Sequence, residues 1–272
     1  MVAVGFGGTE ASSRYPTGGF LAVLREALHG RGGEAVRQLA LITVLYFCYR
    51  AGRLLTADET GRAFDNAEGV LDLEHGLGLR SETAVQSLFV DHQWLAVSAN
   101  FYYATAHFTV AVAVLLWLWT FRPHHYRWTR NVMVAATGAA LLVHVLVPLA
   151  PPRMLPEHGF IDLAAIHGQS VYGPVGADGL SNQFAAMPSL HVGWALLLAV
   201  ALVAATEGAW RWIFLIHPTL TLLVVVGTGN HYWLDAVVAV GLLGTAALLH
   251  PTVSIPHTER PIGSRKWRTN VE

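Results

Sequence analysis

Residues 186–206 read AMPSLHVGWALLLAVALVAAT, a short polar start that runs straight into an apolar stretch with no charged side chain. Spanning a bilayer core takes about 20 mostly apolar residues in helical form. Pro188 suits the first turn of a helix, and Ser189 can hydrogen-bond nearby. His191 is then placed at the end of a membrane helix, one turn from water.

The same reading applied along the chain finds six such stretches: Val36 to Leu55, Val97 to Phe121, Val132 to Ala150, Pro188 to Thr206, Trp212 to Gly227 and Trp233 to His250. Tyr46, Tyr49, Trp117, Trp119, Trp194, Trp212 and Trp233 cluster near their ends, as interfacial aromatics do. Of 272 residues, 53% are apolar and 13% charged, and mean hydropathy is +0.43. Soluble domains carry roughly 25% charge. The expectation is an all-α, polytopic membrane protein: a six-transmembrane-helix bundle over 36–250, between a cytoplasmic segment 1–35 and a polar, disordered tail 251–272. No signal peptide is visible in the first 36 residues, so the first span reads as its own insertion signal. Cys48, the single cysteine, excludes an intramolecular disulfide and reads as a packed small hydrophobe. The net charge of −1 gives no sign of a nucleic-acid partner.

Residues 56–96 are polar but patterned. Ala63, Phe64, Ala67, Val70 and Leu71 recur at helical spacing, opposite Arg62, Asp65, Glu68 and Asp72. Ser81 can cap a second helix with Val85, Leu88 and Phe89 on one face. Both read as amphipathic helices on the membrane surface. Pro148, Pro151 and Pro152 end the third span. The Gly-rich loop 151–186 that follows reads as a series of turns beside a functional site.

With the N-terminus inside, the inner segments hold twelve basic residues and the outer segments five. The positive-inside rule favours that orientation. Both termini are then cytoplasmic, in the plasma (inner) membrane. His191, His231 and Asp235 all fall on the extracytoplasmic side.

His231 and Asp235 are four apart and share a face if the last helix has begun by His231. An Asp that accepts from one imidazole nitrogen fixes the tautomer and frees the other lone pair, the logic of an oriented nucleophile. A plain helix-capping Asp is the structural alternative. His191, at a helix start that suits phosphate, can protonate a leaving oxygen. Arg153, between a proline-stiffened turn and a glycine-rich loop, matches phosphate bidentately. Asn100, Tyr103 and His107 line one face of an apolar helix, where polar groups face a bundle interior or a substrate pocket. Ser189 and Asn230 complete the expected phosphate- and substrate-binding set. Arg50 and Arg53 can assist or bind headgroups, and His144 and His217 read as packed core histidines.

Pro188-Ser189-Leu190-His191 followed by His231-x-x-x-Asp235 resembles the second and third motifs of the type-2 phosphatidic acid phosphatase superfamily. The stretches 185–194 and 229–235, with Pro151-Pro152-Arg153 and Glu74 to Leu79, resemble its actinobacterial inositol phosphorylceramide synthase-like (inositolphosphotransferase-like) branch. The resemblance covers roughly Arg53 to Leu248. It implies metal-independent phosphoryl transfer on a phospholipid or lipid phosphate, with no cofactor. His231 is then the nucleophile that becomes phosphohistidine, Asp235 its orienter and His191 the acid. The sequence departs from the superfamily pattern at Leu146, Met154, Leu190 and Val224-Val225, where the lysine of the first motif and the Ser-Arg pair of the third are missing. That leaves Arg153 as the main clamp and favours a phosphodiester donor. Two other readings stay open: a non-enzymatic lipid-binding protein with a degenerate site, and a haem or metal protein in which His107 meets His144.

Overall fold

The structure, a computed structural model, describes residues 31–56, 59–169 and 183–250. The expectations for the N-terminal segment before residue 31, for the tail after residue 250, and for the part of the Gly-rich loop over 170–182 lie outside the described residues. The chain divides into two units, Met1–Leu54 and Leu55–Glu272.

In the first unit, the described residues all lie on one helix, α1 (Arg31–Leu55), whose last residue is the first of the second unit and which carries Arg50 and Arg53. Cys48 is exposed there, not packed as expected, because the described part of this unit holds no second element to cover it.

The regular elements of the second unit's described residues are all helices, and the one β-type contact among them is an isolated bridge between Leu149 and Ala185. Its helices are α2 (Thr60–Gly76), α3 (Glu82–Val90), α4 (Gln93–Phe121), α5 (Pro123–Leu146), α6 (Leu163–Ile166), α7 (Leu190–Ala205), α8 (Ala209–Gly227) and α9 (Trp233–Leu249). Short 3-10 turns at Pro152–Met154 and Pro156–His158 lie between α5 and α6.

All six apolar stretches are helical, with shifted ends. α4 starts at Gln93, so the amphipathic segment ends at Val90, short of residue 96. α5 starts at Pro123, where the missing N–H of proline is no loss, and stops at Leu146 before Pro148. By length and composition, α4, α5 and α8 can cross a membrane. A fourth crossing is counted when Gly32–Leu55 and Thr60–Gly76 are taken as one broken span. α7 and α9 are apolar but shorter, at 16 and 17 residues.

α7 packs against α4, α5, α8 and α9 and is the centre of the bundle. Its small residues make this possible: Ala195, Ala199, Ala201 and Ala205 are buried, and a Cβ on Gly193 would lie 3.7 Å from Ala239 of α9. Small side chains let helix backbones approach closely where lipid supplies no hydrophobic drive.

The amphipathic helices cover one end of this bundle. α2 buries Ala63, Ala67 and Leu71, as its periodicity predicts. Its Asn66 Nδ2 donates to Pro148 O at 2.7 Å, and Ala63 O accepts from Ala150 N at 3.0 Å. α3 differs from expectation. Leu88 is exposed, and the buried face is Glu82, Gln86 and Phe89. Ser81 stands at the N-cap, but its hydroxyl bonds Thr83 Oγ1 at 2.6 Å instead of a helix N–H.

Phe89 sits against the end of α8. A Cβ on Gly227 would lie 2.1 Å from its ring. Gly227→Ala is expected to destabilise the protein by about 1–3 kcal/mol through overpacking. A lowered unfolding temperature in detergent would register this; an unchanged one would mean that α3 lifts freely from α8.

Candidate active site

α9 begins at Trp233, so His231 stands before the helix and not on a shared helical face. The turn that carries it is tight. Gly229 has φ +67°, and Val225 O accepts both Asn230 N (2.9 Å) and His231 N (3.1 Å). A Cβ on Gly229 would lie 2.8 Å from Gln86 Nε2, so both conformation and space call for glycine.

This turn still brings His231 onto Asp235. Oδ2 of Asp235 accepts the backbone N–H of Tyr232 at 2.9 Å and meets His231 Nδ1 at 3.1 Å. Asp235 is therefore both helix cap and histidine partner, through a single oxygen. His231 Nδ1 also lies 2.8 Å from Ala186 O. A carbonyl only accepts, so Nδ1 carries the proton and Nε2 keeps its lone pair. Among the described residues no hydrogen bond engages Nε2.

α7 begins at Leu190, which leaves Pro188 outside the helix instead of in its first turn. Ser189 is the N-cap, and its Oγ accepts Val192 N–H at 3.4 Å. Its own N–H donates to Asp235 O at 3.1 Å, tying the starts of α7 and α9 together. The imidazoles of His191 and His231 come to 6.1 Å between centroids. Tyr103 stacks on His191 at 4.3 Å, and His107 lies 4.6 Å away. His191 Nε2 is buried, with no hydrogen-bond partner among the described residues.

Asn100 does not join them. A π-helical turn at Tyr102–Ala106 breaks the regular face, and Asn100 Nδ2 donates to Gln169 Oε1 at 3.2 Å. His217 and His144, expected as packed core, are hydrogen-bonded: His217 Nδ1 to the Tyr102 hydroxyl at 2.7 Å, and His144 Nε2 to Pro188 O at 3.2 Å. The ring of His107 meets His191, Trp194 and His217. The group of described residues that could hold a metal ion is Glu68, Glu157 and His158, which is exposed and includes none of the site histidines.

Arg153 is buried beside the His231 turn. Its backbone N–H donates to Gly229 O at 2.8 Å, and Nη1 donates to Asn230 Oδ1 at 3.1 Å. Asp162 lies 3.6 Å from its Nε and caps α6 with its other oxygen. A shallow apolar groove, lined by Met133, Ala136, Ala140, Gly193 and Leu243, runs up to Pro188 and Ser189.

A family model of the PAP2 superfamily matches residues 68–249, more than half of the chain. The chain belongs to the PAP2 superfamily. No curated protein and no solved structure matches it. Membership supports an enzyme of the phosphatase or phosphotransferase kind, acting at a membrane on lipid phosphates. The matched region takes in α7, α9, Arg153 and the two amphipathic helices from Glu68 onward.

Residue-by-residue reading of the PAP2 chain missed several groups around the site. Tyr232 is fully buried, and its hydroxyl donates to Ala150 O at 2.9 Å. Burial and the carboxylates of Asp235, Glu82 and Glu74 hold its phenol far above the ordinary range. Gln86 pins the loop through Ile161, donating to its O at 2.9 Å and accepting its N–H at 3.0 Å. Glu74 and Glu82 accept backbone N–H groups at the start of α9. A periodic signal for Glu74 was present: it continues the Ala67, Leu71 face at helical spacing.

Proposed function

We propose that this PAP2 protein is a six-span membrane lipid phosphotransferase or phosphatase that works through a phosphohistidine, with its site on the extracytoplasmic face and both termini in the cytoplasm. One observation carries the reading: His231 has Nδ1 held by Asp235 and the Ala186 carbonyl, which leaves Nε2 without a hydrogen bond among the described residues, and a second imidazole, His191, lies 6.1 Å from its ring.

In the first step Nε2 of His231 bonds to phosphorus as the bond from phosphorus to the lipid oxygen breaks. His191 gives that oxygen a proton. Asp235 steadies the Nδ1–H of the phosphoimidazole. In the second step the oxygen of water or of an acceptor hydroxyl attacks phosphorus, His191 takes its proton, and the phosphorus–nitrogen bond breaks to restore His231. Arg153 is the phosphate clamp of this scheme, placed by its bonds to Gly229 and Asn230. Transfer of this kind depends mainly on positioning and electrostatic stabilisation. Ser189, Tyr103 and His107 surround the acid.

The test is a panel of phosphatidic acid, polyprenyl phosphates and phosphatidylinositol presented to the purified protein in detergent or vesicles. Phosphate release or headgroup exchange is expected with at least one class, inhibited by vanadate, a mimic of the five-coordinate transition state, and unaffected by EDTA. No turnover across the panel, with lipid nonetheless retained on the protein, would favour a lipid-binding role.

A further inference from the structure

Three carboxylates meet the start of α9. Tyr232 N–H goes to Asp235 Oδ2 at 2.9 Å, Trp233 N–H to Glu82 Oε1 at 3.3 Å, and Leu234 N–H to Glu74 Oε1 at 2.7 Å. Consecutive backbone donors are thus each held by a different acid. A helix start normally takes one capping side chain, and its partial positive charge is about half a unit. Glu74 and Glu82 come from α2 and α3 and are only 3% and 2% exposed. Among the described residues neither forms an ion pair with a basic side chain. Glu74 Oε2 is buried with no hydrogen-bond partner among the described residues, and the neighbouring Glu82 carboxyl raises the pKa of its acid. Two buried acids in that arrangement hold one proton between them.

We propose that Glu74 and Glu82 are positioning residues: as a pair sharing one proton, they clamp the first turn of α9 and so hold Asp235, and through it His231, in the attacking geometry. This rests on the catalytic reading above. Neither acid reaches the reacting atoms; each acts on the backbone that carries the orienting Asp. Burial, chiefly, and the neighbouring Glu82 push the Glu74 carboxyl from 4.5 up to about 9. The groups facing Glu74 are Glu82 on α3, with Asp235 and Tyr232 at the start of α9 and His231 behind Asp235. Arg80, in the link between α2 and α3, is exposed and takes part through its carbonyl, which accepts the Trp233 indole N–H. Raising the pH through about 9 leaves Glu74 charged beside Glu82 and Asp235, which loosens the clamp.

The experiment compares Glu74→Ala and Glu74→Gln in the full-length protein. Glutamine keeps both functions of the protonated acid: its carbonyl accepts Leu234 N–H and its amide donates to Glu82. Glu74→Ala is expected to lower kcat about 100-fold with little change in KM, the scale of a small misplacement in a catalytic constellation. Glu74→Gln is expected to restore most of that loss and to remove the alkaline fall-off near pH 9. Two arms need no turnover. Infrared spectra of the wild type should show a protonated carboxyl that Glu74→Gln removes. A folded-state value raised above the unfolded one also means stability falls as pH rises from the ordinary carboxyl range to about 9, so glutamine should gain on the wild type across that window. An unchanged alkaline limb in Glu74→Gln, or no protonated carboxyl in the wild type, overturns the proposal. A carboxyl band lost in Glu74→Gln, with no lipid turned over by the wild type, supports the clamp and removes the catalytic reading alone.

Discussion

His231→Ala is expected to lower phosphoryl transfer by at least about 10⁴-fold, since removal of a nucleophile from a cooperating set costs nearly all of the set's rate enhancement. Arg153 and the start of α7 would still bind phosphate, so KM should change far less than kcat. Folding should survive. Asp235 keeps its bond from Tyr232 N–H without the imidazole, and α9 keeps Glu74 and Glu82 on its next donors. Turnover of a ³²P-labelled lipid, with trapping of acid-labile, base-stable phosphoenzyme, checks this directly. The wild type should carry label and the variant none, at equal elution volume in size exclusion. Retained turnover would remove His231 as nucleophile.

Asp235→Asn separates orientation from capping. Asp235 is the N3 residue of a capping box, and an asparagine oxygen there can still take Tyr232 N–H, so the unfolding temperature should barely move. The imidazole contact changes in kind. If the new amide turns its N–H to His231 Nδ1, it competes with the Ala186 carbonyl, which holds the proton on Nδ1, and either turns the ring out of line or drives the proton to Nε2, where it blocks the attacking lone pair. If it turns its oxygen there, it offers no charge to the imidazolium character that develops. A wrong tautomer at an otherwise intact site costs up to about 10⁴-fold in kcat. We expect a fall of roughly 10²–10⁴-fold with KM close to wild type. A large loss of thermal stability with kcat retained would mean that Asp235 is a helix cap and no more.

Much of this site was legible because its parts are local. The proline and serine before Leu190 mark a helix start, and the four-residue spacing of His231 and Asp235 marks a pair. The pair forms, yet by a different route: α9 starts after His231, and a glycine turn makes the contact that a helical face was expected to make. Asn100, Tyr103 and His107 read as one face until the π-turn between them sent Asn100 to Gln169. The second amphipathic helix was misread for a different reason. A pattern of apolar residues assigns polar side chains to water, but Glu82 and Gln86 are buried because each finds backbone groups of another segment to bond.

By itself the sequence determined the all-helical class, the six apolar stretches, the amphipathic cover of α2 and the residues of the histidine pairing. Each of these depends on propensity, hydropathy or spacing over a few turns of chain. Tertiary structure alone decided that the starts of α7 and α9 meet, through Ser189 N–H on Asp235 O and His231 Nδ1 on Ala186 O. It also decided that two acids from the covering helices reach the same helix start. Those contacts join residues 45 to 160 positions apart, where the partner of a buried donor or acceptor is chosen by packing.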